Sequence, residues 1–177
     1  MKTILHLCAD TGSDTWAYRG DPDYEVITIG ADIGVENYSP DRPIHGIMAN
    51  PVCTEFSRAR ANNPYLKHYP HLASNPESGM WMVQECLRII EEAAPQWWAL
   101  ENPATGTLKN YLDLPPRYSY EPWWYGSPWT KKTALWGNFN IPQRHYTYWE
   151  DVPKLDIYAR PGRKPSLAFL HKSAFHQ

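Results

Sequence analysis

Apolar positions along this chain fall into short runs separated by turns rich in Gly, Pro, Asn and Asp. Ile4, Leu5 and Leu7 lie in a β-rich run over residues 3–7 that enters a small-residue turn over 9–13. A helix is expected over about 14–18, stopped by Gly20, Asp21 and Pro22, and YEVITI over 24–29 reads as a second strand bounded by Gly30. Strand, glycine turn, helix and strand within about thirty residues match the length of a βαβ unit. Residues 37–43 read as loop, and IHGIMA over 44–49 as a third strand ended by Asn50 and Pro51. Polar, basic and turn residues over 53–76, with Pro64, Pro70 and Pro76, predict a long loop with one helical turn near 57–61. The clearest helix spans 78–94. Met82, Cys86, Ile89, Ile90 and Ala93 share one side, Gln84, Glu85, Arg88, Glu91 and Glu92 are polar, and Pro95 ends it. A fourth strand over 97–100 runs into Glu101-Asn102-Pro103. A short helix over 105–112 and strands over 120–125 and 133–136 follow. Beyond Phe139 the pattern is broken by Pro142, Pro153, Pro161 and Pro165, with a terminal helix expected over 166–175.

Strands alternating with helices or long crossovers imply an α/β fold with a mostly parallel sheet and flanking helices. Ligands of such sheets bind beyond the carboxyl ends of the strands. Three of those ends carry suggestive chemistry, over 9–13, 50–57 and 101–103, and the fold would bring them together.

Composition narrows the class. A chain of 177 residues, 42% apolar and 20% charged, is expected to form one globular domain over 1–177. Its Pro- and Tyr-rich segment over 140–177 is a candidate for substrate contact, and HYTYW over 145–149 reads either as stacking faces for unpaired bases or as a packing strand. With 17 basic and 19 acidic residues and a net charge of −2, the chain is no polycation, so nucleic-acid contact must come from a local patch. Three widely spaced cysteines and no signal-peptide pattern are expected of reduced thiols in a cytoplasm. No apolar run is long enough to span a bilayer, so no membrane contact is expected. His68, His71, His171 and His176 lack the spacing of metal ligands, so no metal is expected. The 9 Trp and 12 Tyr supply flat surfaces for a core or for a planar ligand.

Two local motifs carry chemistry. In NPVCTEFSRAR, Cys53 follows a strand-ending Asn50-Pro51 on a stiff turn, with Arg58 and Arg60 near enough in sequence to favour its thiolate. In ALENPATGTLKNYL, Glu101 ends an apolar strand where partial burial would raise its pKa and let it hold a proton. Read singly, each also fits an ordinary structural cysteine or a capping glutamate.

Together these residues resemble the cytosine-C5 DNA methyltransferases, especially compact phage-type members that lack a large target-recognition domain. The resemblance covers roughly 3–140. It rests on Pro51-Val52-Cys53-Thr54-Glu55-Phe56-Ser57, on Glu101-Asn102-Pro103, and on YGSPWTKKTALWGNF over 125–139. It implies a class I methyltransferase fold, S-adenosylmethionine as methyl donor and DNA as substrate. It implies Cys53 as nucleophile on carbon 6 of cytosine and Glu101 as the partner of its N3 edge. The family flips its target base out of the duplex. Thr54, Ser57, Arg58, Arg60, Asn102, Pro103, Lys131 and Lys132 become candidates for holding base or phosphates. Cys8, Ala9, Asp10, Thr11, Gly12, Ser13, Asp32, Asn50 and Pro51 become candidates for holding the donor. A phage-encoded protein would work in the host cytoplasm.

The sequence departs from the family at the donor loop. His6 stands for the leading Asp, Asp10 for the first glycine, and Gly30 for the acid that ends the second strand, with Asp32 two residues on as its substitute. With about forty residues after Trp136, DNA binding is expected to be weak or of low specificity, or aided by a protein partner. The alternatives are a non-catalytic methyltransferase-like protein that binds DNA, a nucleotide or a protein, and an enzyme acting on a free pyrimidine nucleotide.

Overall fold

The computed structural model describes residues 1–9, 11–57 and 74–153. Six strands, β1 (Lys2–Leu7), β2 (Tyr24–Ile29), β3 (Gly46–Ala49), β4 (Trp97–Pro103), β5 (Tyr118–Tyr120) and β6 (Thr133–Asn138), form one sheet in the order β2-β1-β3-β4-β6-β5. The β2-β1-β3-β4 portion is parallel, and β6 and β5 add an antiparallel edge. This is the expected α/β fold with a mostly parallel sheet. β1 has a parallel neighbour on each side, which accounts for its nearly continuous apolar run, with Ile4, Leu5 and Leu7 fully buried. The chain leaves β1 toward β2 on one side and returns as β3 on the other. That reversal opens a crevice at the carboxyl ends of β1 and β3.

The long helix α2 (Pro76–Ala93; α1, below, precedes it) covers one face. Pro76 takes its first position, where no N–H is needed. The Asn75 side chain accepts from the Ser78 N–H at 3.3 Å, and Ala94 closes the helix at φ 42°. Val83, Cys86, Ile89 and Ile90 pack into the core with Leu5, Leu7, Ile47, Ala49 and Leu100. The helix starts two residues before its expected onset because Asn75 and Pro76 form the better start.

The other face carries α1 (Trp16–Arg19), a single turn preceded by a 3-10 turn over Ser13–Thr15. Tyr18 meets Tyr24 edge-on, with centroids 5.0 Å apart, and stacks on Trp97 at 6.0 Å. Trp97 lies so flat over Gly46 that a Cβ built there would fall inside the indole. Gly46→Ala is expected to destabilise the chain by about 1–3 kcal/mol through overpacking. The check is a denaturant midpoint that falls at unchanged slope.

Three sequence expectations are corrected in detail. The strand over 120–125 is instead β5 followed by a 3-10 turn over Pro122–Tyr125, because Pro122 has no N–H for a ladder and Gly126 closes the turn at φ 97°. The helix over 105–112 reduces to a 3-10 turn, Leu108–Asn110. β4 does not end at residue 100, since Glu101, Asn102 and Pro103 pair with Leu135, Ala134 and Thr133 of β6. A 3-10 turn stands at Thr54–Phe56. Beyond Ser57, the turn expected near 57–61 lies outside the described residues, as does the helix over 166–175. No helix among the described residues is long and apolar enough to cross a membrane.

Candidate active site

Cys53 sits on the turn that leaves β3, and that turn is held from several sides. The Phe56 N–H donates to the Cys53 carbonyl at 3.1 Å, and the Phe56 ring is buried beneath it. Thr107 N–H donates to the Phe56 carbonyl at 2.9 Å. The Val52 N–H points at the Met82 sulfur at 3.5 Å, and Asn102 Nδ2 donates to the Pro51 carbonyl at 3.2 Å. Gly79 of α2 allows this close approach, since a Cβ there would lie 2.8 Å from Glu55 Cβ and from Phe56 Cζ. Burial pushes the Cys53 thiol above its ordinary pKa, the nearby Lys131 charge lowers it, and Glu101 raises it further.

Glu101 reaches the same cleft from β4. Burial raises its pKa, while Lys131, whose ammonium lies 3.4 Å from Oε1, pulls it down. Lys131 therefore faces both Cys53 and Glu101. Strand alternation turns Asn102 to the opposite face of the sheet, where it is fully buried beneath the Pro51 turn.

Asn50 connects this pair to the loop after β1. Its Nδ2 donates to Asp14 Oδ2 at 2.8 Å, so its Oδ1 faces His6 Nε2 at 2.9 Å. Nε2 must then carry a hydrogen. Burial lowers the pKa of His6, Asn50 and Asp14 oppose this and the Arg19 charge adds to it, which favours the neutral ring. Its Nδ1 thus accepts the single Thr15 hydroxyl hydrogen at 3.0 Å, leaving the Gly12 carbonyl at 3.2 Å as a longer alternative.

One cavity of about 690 Å³ is lined by His6, Asp14, Asn50, Cys53, Glu101 and Lys131 together. It runs from the loop after β1, past Gly30 and Glu36, to Cys53, Glu101 and Lys131. Gly34, at φ 77°, leaves room for the Glu36 carboxylate, which a Cβ there would meet. Arg88 of α2 braces this segment, donating to the Val35 and Tyr38 carbonyls at 3.2 and 3.0 Å. Cys8 enters the loop at φ 55° with its sulfur 3.6 Å from that of Cys86.

The three strand ends singled out in the sequence thus meet in one cleft. Cys8, Thr11, Gly12 and Ser13 line it, as do Asn50, Pro51 and Thr54. Ala9 is buried. Ala9, Asp32, Ser57, Asn102, Pro103 and Lys132 do not line the cleft, and Lys132 is exposed. Asp10, Arg58 and Arg60 lie outside the described residues. Asp14, Glu36, Trp81 and Met82 line the cleft without having been singled out for it. Trp81 carried one signal: it is a bulky aromatic off the apolar stripe of α2. Among the described residues no group of three or more His, Cys, Asp or Glu side chains could hold a metal ion.

No model of a known protein family matches the chain. It is 28% identical over 127 residues to the Frog virus 3 (isolate Goorha) protein described as "Probable DNA (cytosine-5)-methyltransferase", a match covering 66% of this chain and 55% of that protein. Its fold is similar to that of a crystal structure described as a DNA modification methyltransferase encoded within an E. coli prophage. There the TM-score is 0.52 at 16% identity, over 78% of this chain and 47% of the other. The chain thus spans about half the length of the proteins it matches. These findings support the class I methyltransferase fold and the resemblance to the cytosine-C5 methyltransferases.

Proposed function

We propose that this chain transfers a methyl group from S-adenosylmethionine to carbon 5 of cytosine in DNA, through a covalent adduct at Cys53. The observation that carries this reading is the convergence of Cys53, Glu101 and the loop after β1 on one cleft. The cavity, at about 690 Å³, is of a size for small-molecule and cofactor sites. The loop over Cys8, Thr11, Gly12 and Ser13 would hold the donor's methionine end. Glu36, rather than Asp32, offers a carboxylate to its ribose hydroxyls, which makes good the acid missing at Gly30. Bound there, the donor supplies an electrophilic methyl group.

The protein's own part is to make carbon 5 a nucleophile. The Cys53 thiol gives up its proton and its sulfur adds to carbon 6, converting the ring to an enamine. Glu101, whose pKa burial raises, donates a proton to N3 and takes up the charge that develops on addition. Lys131 favours the thiolate, and the braced turn fixes the line of attack. After methyl transfer a base, which a bound water would supply, takes the proton of carbon 5, N3 returns its proton to Glu101, the sulfur leaves carbon 6 and aromaticity returns. Substrate recognition stays modest: binding to DNA is weak and salt-dependent and favours flexible or unpaired strands, with a protein partner able to add specificity. The site of action is the cytoplasm, that of the host for a phage-encoded chain.

Gly30, where the family carries an acid, favours a second reading, a non-catalytic relative that binds DNA, a nucleotide or a protein. Mass spectrometry of nucleosides from cells expressing the chain separates these. A rise of 5-methylcytosine in DNA is the expected result. Methylation confined to free pyrimidine nucleotides would replace DNA as the substrate. No new methylation from well-folded protein would leave the non-catalytic reading.

A further inference from the structure

The charges around the cleft are unevenly matched. Among the described residues, three of its lining side chains are carboxylates, Asp14, Glu36 and Glu101, while the lining cation, Lys131, lies 3.4 Å from Glu101. The part of the cleft nearest the loop after β1 therefore holds two carboxylates, Asp14 and Glu36, neither of them in an ion pair among the described residues, although the Arg19 guanidinium lies against Gly12. Such a surface repels phosphate and attracts positive charge.

Asp14 occupies the seam between the two halves of the cleft. It sits in the loop after β1, and its charge is felt by His6 on β1, Glu101 on β4 and Tyr120 on β5. It is also held in place. Asn50 Nδ2 donates to it at 2.8 Å, and Asn50 cannot turn round, because its Oδ1 takes the hydrogen of His6 Nε2 at 2.9 Å. His6 is in turn fixed by Thr15 at 3.0 Å. Holding an anion by a neutral amide leaves its charge intact for a ligand, which an Arg or Lys partner would not do.

We propose that Asp14 makes the donor half of the cleft selective for a positively charged nucleoside, so that the sulfonium donor binds more tightly than the neutral thioether left after transfer. This rests on the reading of the cleft as a methyl-donor site. The two ligands differ by one methyl group and one positive charge, so a carboxylate near the sulfur separates them. Loss of that charge on transfer weakens the hold on the product and favours its release. His6 and Asn50 act as positioning residues for Asp14.

Calorimetry on the full chain tests this, with S-adenosylmethionine and S-adenosylhomocysteine as the two probes. The intact protein is expected to prefer the sulfonium by about 3- to 10-fold at low salt, as for a solvent-accessible ion pair, and by less at high salt. Asp14→Asn should bring the ratio of the two dissociation constants toward one, and Asp14→Glu should keep a preference. Because the measure is a ratio, a general loosening of the loop cancels. If Asp14→Asn weakens both ligands equally and leaves the ratio unchanged, Asp14 is merely structural and the proposal is overturned, while the donor site stands. If the intact protein binds neither probe, the donor reading fails and takes this proposal with it.

Discussion

Cys53→Ala is expected to remove methylation entirely and, with it, any covalent complex on DNA containing 5-fluorocytosine. Fluorine cannot leave carbon 5 as a proton, so the adduct formed in the presence of the methyl donor cannot resolve. The intact protein should therefore give a band of protein joined to DNA on a denaturing gel, and Cys53→Ala should give none. No neighbouring side chain can replace the thiolate: Thr54 has an alcohol of far higher pKa, and Lys131 lies against Glu101. Burial raises the thiol pKa above its ordinary value of 9.0, so adduct formation should speed up as the pH rises from about 7 to about 9. Cys8→Ser and Cys86→Ser should still form the adduct, since their sulfurs face each other and not the base. An adduct that survives Cys53→Ala would move the nucleophile elsewhere.

Glu101→Gln is expected to cost about 10²- to 10³-fold in turnover while making the protein more stable at neutral pH. The loss follows from removing the group that protonates N3. The gain follows from the sign of the pKa shift. Burial raises the Glu101 pKa above its ordinary 4.5, so the folded chain holds this proton more tightly than the unfolded chain does. As the pH climbs from the ordinary value through the raised one, the unfolded chain ionises first and stability falls. Glutamine does not ionise and escapes that penalty, although Lys131 loses a partner and trims the gain. Denaturant midpoints should therefore separate at pH 7 in favour of the variant and converge below about pH 4. A variant less stable than its parent at pH 7 would mean that the Lys131 pair outweighs the burial of the carboxylate.

The parts of this molecule that were legible beforehand are those written locally. The stripe of Met82, Cys86, Ile89, Ile90 and Ala93 announced α2, and a strand ending at Asn50-Pro51 announced the Cys53 turn. Glu101 was legible as the polar end of an apolar run. Asp14 and Glu36 were not, because nothing in their neighbours distinguishes a carboxylate in a cleft from one in solvent. Their position follows from β1 and β2 lying side by side, which is a property of the sheet and not of the segment. Asn102 shows the same limit from the other side. It adjoins Glu101 in sequence, yet one step along a strand reverses the direction of the side chain, and it serves the Pro51 turn from beneath. Pro122 misled for a related reason: its aromatic neighbours favour a strand, but a residue without an N–H starts a helical turn more readily than it joins a ladder.

The cleft divides along the chain as well as in space. In the proposed reaction its donor side is drawn largely from residues 6–36, and its base side is built around Asn50, Cys53, Glu101 and Lys131. Asn50 is the hinge pin between them, bonded to His6 and Asp14 on one side and three residues before Cys53 on the other. A lineage can therefore rewrite its first forty or so codons, placing histidine, glycine and new acids where other sequences stood, without disturbing a nucleophile encoded further on. Two halves open to separate selection would let ancestry persist in the second while the first is renegotiated.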